Sequence, residues 1–312
     1  MTRLSTLLDT VCAALDIDPL ARGLQILDAP TLARQHFPHL DPDLPALIVN
    51  VNRANARKCQ RVLTILYPPE HSIRWVDAAQ TIASSSLAKM TRSKFDGPST
   101  LYLPPLARAG SMSALGEVVA RLRAPDGCPW DRRQTHQSLR QDFLEEVYEV
   151  LETLDAEDMP HLREELGDLL LHIFLQAQIA AESGEFQLSD VIAGISEKLV
   201  RRHPHVFGDV QVSGTDQVVA NWEMIKQAEN GGKQKSAVPR ALPALMRAQK
   251  IAKRAKVQVN RKEILARAAK LSRGRNAEQK LGELLFALAA YASARGIDAE
   301  SALRRVANQK IE

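Results

Sequence analysis

Two hydrophobic periods divide the chain. Residues 44–51 (LPALIVNV), 72–77 (SIRWVD) and 100–103 (TLYL) are short apolar runs, rich in β-branched and aromatic side chains and bounded by Pro, Asn or Asp, which predicts strands. Between the first two, residues 55–66 place Val62, Leu63, Ile65 and Leu66 behind a basic face and stop at Pro68 and Pro69, which predicts a helix. Strand, helix and strand imply an α/β piece. Residues 107–113 (ARAGSMS) are small and polar and read as a linker.

From residue 112 the period becomes helical. Leu115, Val118, Val119 and Leu122 share one helical face; Leu139, Phe143, Val147, Tyr148 and Leu151 share a second; Leu162, Leu166, Leu169, Leu170 and Ile173 share a third. Val191, Ile195 and Leu199 give a fourth stripe, and residues 221–229 a short amphipathic segment before a flexible hinge at 230–236 (NGGKQKS). Beyond the hinge the run at 165–171 (ELGDLLL) echoes as 280–286 (KLGELLF). The end of the chain therefore reads as a second, eroded copy of the all-α domain, its apolar positions kept while Glu165 has become Lys280.

A chain of 312 residues, 45% hydrophobic and 25% charged, has room for two or three globular domains. Its net charge of +4 hides an uneven distribution: +4 over residues 1–125, −13 over 126–229, +13 over 233–280 and zero over 281–312. Cys12, Cys59 and Cys128 are odd in number, distant and never paired as Cys-x-x-Cys, so neither a disulfide framework nor a cysteine zinc site is expected, and a reducing, cytoplasmic setting fits. Asp9, Asp16 and Asp18 interrupt the first apolar segment, against a signal peptide. The charge-free run 169–181 falls short of the roughly 20 residues that cross a bilayer, so no membrane role is expected.

The acidic block carries the candidate chemistry. Residues 145–149 (EEVYE) and 164–168 (EELGD) each set acids three apart on one side of a helix, so two such helices packed antiparallel would aim four carboxylates at one point. A lone pair of this kind is ordinarily a solvated face. Here Asp168 abuts the charge-free run that follows it, and Glu149 is set among Val147, Tyr148 and Val150. Acids at a core edge need a partner or a metal, and hard divalent cations take oxygen ligands.

With these acids go residues 128–131 (CPWD), Gln134 and Thr135, 201–207 (RRHPHVF), and Trp222 and Glu223 followed by Lys226. In this order and spacing the six motifs resemble the MazG family of nucleoside triphosphate pyrophosphohydrolases, over about residues 112–230. The resemblance implies an all-α fold that hydrolyses nucleoside triphosphates to monophosphate and pyrophosphate with Mg²⁺, a nucleotide-pool housecleaning reaction. It implies Glu146, Glu149, Glu165 and Asp168 as metal ligands, Lys198, Arg201 and Arg202 facing the phosphates, and Trp222 and Lys226 facing the nucleotide. The chemistry agrees, because cleaving a phosphoanhydride needs charge neutralisation and an aligned water but no nucleophilic side chain. A carboxylate left over from the metal, Glu145 or Glu146, would orient or deprotonate that water. His203 and His205 lack the further ligands a transition-metal site requires, and Trp130 reads as a core anchor.

Residues 23–28 (GLQILD), 47–51 (LIVNV), 63–68 (LTILYP) and 100–105 (TLYLPP) resemble the C-terminal half of a tetrapyrrole-methylase-like domain, without the glycine-rich loops that would hold a methyl donor. Three domains are thus expected: an α/β remnant at 1–106 serving as scaffold, a MazG-like catalytic all-α bundle at 112–230, and a degenerate second repeat at 237–312 in which Lys280 stands where a ligand acid is expected. Short helical units of this kind commonly complete their core by pairing, so a homodimer is expected. The competing reading is a regulatory protein that binds nucleotides or nucleic acid through the basic C-terminal repeat. The absence of any aromatic residue between Trp222 and Phe286 argues against base stacking there.

Overall fold

The computed structural model describes residues 4–92, 97–229, 238–271 and 276–310; the hinge predicted at 230–236 lies outside them. The chain folds as two compact units, Met1–Val150 with Leu162–Leu188, and Leu151–His161 with Ser189–Glu312.

The first unit opens with α1 (Leu4–Leu15), β1 (Gln25–Asp28), α2 (Ala29–Leu32), β2 (Ala46–Val51), α3 (Ala56–Leu63), β3 (Ser72–Val76), β4 (Ile82–Ser86) and β5 (Ser99–Leu103). The strands form one sheet in the order β1-β2-β5-β3-β4, with β1 and β2 parallel and the remaining neighbours antiparallel. The three strands read from the apolar runs lie at its centre; β1 and the serine-rich β4 are its edges.

Both faces of the sheet are covered, so β2 is buried throughout except at Asn50. Ile48, Val51, Ile73, Leu101 and Leu103 share a core with Leu32 of α2, with Cys59, Val62 and Leu63 of α3, and with Leu87 and Met90 of a 3₁₀ turn. Leu47, Val76 and Tyr102 pack instead on Val11, Cys12 and Leu15 of α1. Asn50 takes φ +63° where the β2–β5 pairing slips between Ile48 and Val51. The extra residue returns Val51 to the side of the sheet that Ile48 occupies.

The predicted linker is fastened rather than loose. Asp43 accepts from the Gly110 amide at 2.8 Å and the Ser111 amide at 3.0 Å, and the Ser113 hydroxyl donates to Asp41. Burial pushes the Asp43 carboxyl upward, but its hydrogen bonds from Ser111 and Gly110 leave it below the usual carboxylate range. Ser111 then caps α4 (Met112–Arg123), its side chain accepting from the Ala114 amide.

After α4 come α5 (Arg140–Asp155) and α6 (Met159–Glu182). Their core is Val119, Leu139, Phe174, Leu175 and Ile179. Helix α6 ends at Gly184, whose φ of +71° lets the Glu185 amide donate back to the Ala180 carbonyl at 2.9 Å.

The second unit contains α7 (Leu188–Arg202), α8 (Pro204–Phe207), α9 (Thr215–Glu229), α10 (Ala244–Arg254), α11 (Arg261–Ala269), α12 (Ala277–Ser293) and α13 (Ala299–Asn308). Helix α9 includes the segment expected at 221–229 but starts at Thr215. Its described core is small, built from Ala252, Val259, Ala287 and Ala290 with Phe286 and Ile264 against them. The stripe of Val191, Ile195 and Leu199 reaches no core: these residues are 40%, 44% and 48% exposed. Cys12, Cys59 and Cys128 are free thiols. Among the described residues no helix is long and apolar enough to cross a membrane.

Candidate functional site

The acids are set by how α5 and α6 meet. His136 pairs with Gln176 just before α5, Leu139 joins the core holding Phe174 and Leu175, and Phe143 meets the buried ring of His172 edge-on at 5.6 Å. As the sequence rises along α5 its partners on α6 fall, so the two helices run antiparallel. One turn beyond Phe143 that register carries Glu146 to Glu165 and Asp168.

The ligand oxygens of Glu146, Glu165 and Asp168 all lie within 4.8 Å of one another, and each residue is half-buried. Glu149 lies beside this group, close enough for its charge to act on both Glu146 and Glu165. The four acids that the spacing singled out therefore come together. Glu145 does not join them; it is exposed and accepts from the Gln141 amide at 3.1 Å.

Four carboxyl groups without a cation repel one another. Burial, and then the charges of Glu149 and Asp168, push Glu146 up to about 6. Burial and the charge of Glu149 also raise Glu165. None of the ion pairs among the described residues involves these four acids. A hard divalent cation meets the needs of this donor set, since it removes the repulsion and accepts oxygen ligands at mixed geometry.

The approach to α5 depends on two tight contacts. Arg123, 6% exposed, donates through Nε and Nη2 to Glu182 at 2.9 and 2.6 Å and through Nη1 to the Gln134 carbonyl at 3.3 Å. Gly127 packs so closely that a Cβ there would lie 2.4 Å from the carbonyl oxygens of both Arg121 and Leu122. Neither contact was foreseen from the sequence, although Gly127 immediately precedes the CPWD run.

The predicted substrate-binding residues belong to the second unit. Arg201 donates to Glu229 at 2.7 Å and Arg202 donates to it through Nε at 3.1 Å. These bonds hold Glu229 at about 2. The Arg202 guanidinium lies 5.4 Å and the Lys226 ammonium 4.6 Å from the centre of the Trp222 ring, and Lys226 also pairs with Glu223 at 3.6 Å. Lys198 is half-buried one turn before the two arginines. The His203 and His205 rings sit 5.7 Å apart, with Nδ1 of His203 against the Leu199 carbonyl at 2.7 Å. Trp130, expected as a core anchor, is 59% exposed, because it sits in the turn before α5 and outside the helical core.

Comparison with known proteins adds an independent line. Residues 134–207 match the MazG nucleotide pyrophosphohydrolase domain. The chain is 44% identical over 217 residues to the nucleoside triphosphate pyrophosphohydrolase of Escherichia coli, a match covering 62% of this chain and 82% of that protein. It is 38% identical over 212 residues to the nucleoside triphosphate pyrophosphohydrolase/pyrophosphatase MazG of Thermotoga maritima, covering 64% and 82%. It is also 40% identical over 259 residues to the uncharacterized protein YabN of Bacillus subtilis, covering 79% of this chain and 52%, about half, of YabN.

Proposed function

The chain belongs to the MazG family, and from that premise we propose that it hydrolyses nucleoside triphosphates to monophosphate and pyrophosphate with Mg²⁺ held by Glu146, Glu149, Glu165 and Asp168. The observation that carries the proposal is the convergence of carboxylates from α5 and α6, none of which is in an ion pair among the described residues. The names of the Escherichia coli and Thermotoga maritima relatives support the reaction class.

Glu146, Glu149, Glu165 and Asp168 would hold the Mg²⁺, which when bound would supply neutralisation of the charge on the phosphoryl oxygens. The chain's own residues do the rest by position. A water oxygen adds to phosphorus, the anhydride P–O bond breaks, and the bridging oxygen leaves with its electron pair on one of the two products. Glu146 accepts the proton of that water. Its place inside the cluster supports it over Glu145, which is exposed and bonded to Gln141. Lys198, Arg201 and Arg202 serve the phosphates, and Trp222 and Lys226 the base and sugar.

Residues 237–312 we read as the second, eroded repeat: Lys280 opens the apolar stretch of α12 as Glu165 does that of α6. Residues 1–106 act as a scaffold. The exposed stripe of Val191, Ile195 and Leu199 supports pairing with a second copy of the chain, which light scattering would detect.

The test is a screen of nucleoside triphosphates with Mg²⁺ that reads pyrophosphate and monophosphate separately. Release of both in equal amounts, abolished in Asp168→Asn and Glu149→Gln, is the expected result. No pyrophosphate from any substrate, or full turnover in both variants, refutes the proposal.

A further inference from the structure

The basic face that the sequence placed at residues 55–66 takes no part in the carboxylate chemistry, yet the fold gives it a shape. Helix α3 buries Ala56, Cys59, Val62 and Leu63 against the sheet and turns Arg57, Lys58 and Arg61 outward. With Ala33 and Arg34 after α2, and with Gln60 and Thr64, these residues line a groove of about 760 Å³. That volume lies within the range of small-ligand sites, about 300–1,000 Å³.

The charge in this groove is unbalanced. Four of its seven lining residues are cationic and none is acidic. No ion pair among the described residues involves Arg34, Arg57, Lys58 or Arg61. Asp28, whose charge reaches Cys59 of α3, pairs with none of these cations and instead accepts from the Asn50 amide at 2.8 Å and the Thr31 hydroxyl at 3.4 Å. The neutral polar groups of the groove are also used within the fold. Gln60 donates to the carbonyls of Leu87 and Ala88 at 2.7 and 2.9 Å, and the Thr64 hydroxyl donates to the Arg61 carbonyl at 2.9 Å. The donors left for a ligand are the four cations. No aromatic ring lines the groove to stack a base.

We propose that this groove binds a small polyphosphate anion, the tail of a nucleoside triphosphate or an inorganic polyphosphate, at a site separate from the carboxylate cluster. Several anionic phosphoryl groups in sequence match several guanidinium and ammonium groups on one concave surface, and arginine is suited to bidentate contact with phosphate oxygens. A single-stranded nucleic acid would call for stacking platforms that the groove lacks.

The experiment is calorimetric titration of the full chain with inorganic triphosphate in EDTA, where the carboxylates hold no cation. Saturable binding that weakens with salt is expected, reduced about tenfold or more in Arg57→Glu/Arg61→Glu with an unchanged melting temperature. If that double variant does not fold, Arg34→Gln/Lys58→Gln decides by the same criterion. Binding retained in Asp168→Asn supports the separate site; loss there, absence of saturable binding, or unchanged affinity in the folded groove variants overturns it. A parallel titration with a nucleoside triphosphate separates the sources, equal affinity marking the phosphate tail alone and tighter binding marking a nucleotide. An oligonucleotide that displaces both at lower concentration also overturns the proposal. None of these readouts requires turnover, so its failure is distinct from failure of the hydrolase reading.

Discussion

Glu146 and Asp168 bring carboxylate oxygens from two antiparallel helices within 4.8 Å of each other, with Glu165 in the same group. Such an arrangement costs folding energy while no cation is bound. Glu146→Gln or Asp168→Asn should therefore raise or preserve the melting temperature in EDTA. Mg²⁺ should stabilise the natural protein by about 2.7 kcal/mol at a hundredfold excess over its Kd, and the variants by less. Thermal unfolding with and without Mg²⁺ checks both halves, and a variant that is less stable in EDTA contradicts the account.

The same cluster sets a pH dependence. Glu146 titrates at about 6 in the folded chain, above its ordinary 4.5. The folded state then keeps a proton that the unfolded state releases, so this group favours folding at low pH and loses that contribution as pH rises from about 4.5 to about 6. Urea midpoints measured in EDTA across that window should fall with rising pH, and Glu146→Gln should flatten the slope. A midpoint that rises in the natural protein and is unaffected by the substitution counts against it.

Arg123 and Gly127 hold the turn that delivers α5. Removing the guanidinium leaves Glu182 with the Gln178 amide and frees the Asp131 and Gln134 carbonyls, so Arg123→Ala should cost roughly 1–3 kcal/mol. In Gly127→Ala the new Cβ meets main-chain oxygens at 2.4 Å, which no rotamer relieves. The backbone must move, at a cost of about 1–3 kcal/mol. Chemical denaturation measures both. Phe174→Ala, which empties a core position in α6, should cost about 3–5 kcal/mol on the same assay.

How far the residues alone led depends on which force decided each feature. The central strands were readable because burial imposes a period. Helices α4 to α6 followed from their own apolar period, although Val118, Phe143, Tyr148, Leu166 and Ile173 of their stripes are 38–53% exposed, and the acids at 146, 149, 165 and 168 from helical spacing that puts them on facing sides. Strands β1 and β4 were missed: as edges they carry little apolar signal, and β4 is largely serine. The segment 107–113 read only as a small, polar linker because its fastening comes from Asp41 and Asp43, far off in sequence. The stripe of Val191, Ile195 and Leu199 shows the limit of periodicity, which marks an apolar face without telling what covers it.

Arg201 and Arg202 invite the sharpest test, because a phosphate would have to compete with Glu229 for both. With Glu229 held at about 2, the clamp contributes stability above its ordinary titration range and loses it only as pH falls toward 2, so it is fully ionised at neutral pH. Arg202 is the more enclosed, 13% exposed at its side chain against 54% for Arg201, and also meets the Trp222 ring. Arg202→Ala should therefore lower the melting temperature. Arg201→Ala should leave it nearly unchanged and raise KM for a nucleoside triphosphate about tenfold, with kcat little altered. Glu229→Gln, which loosens the clamp while keeping its shape, should lower KM. An unchanged KM in Arg201→Ala and Glu229→Gln would make the clamp a structural tie between α7 and α9.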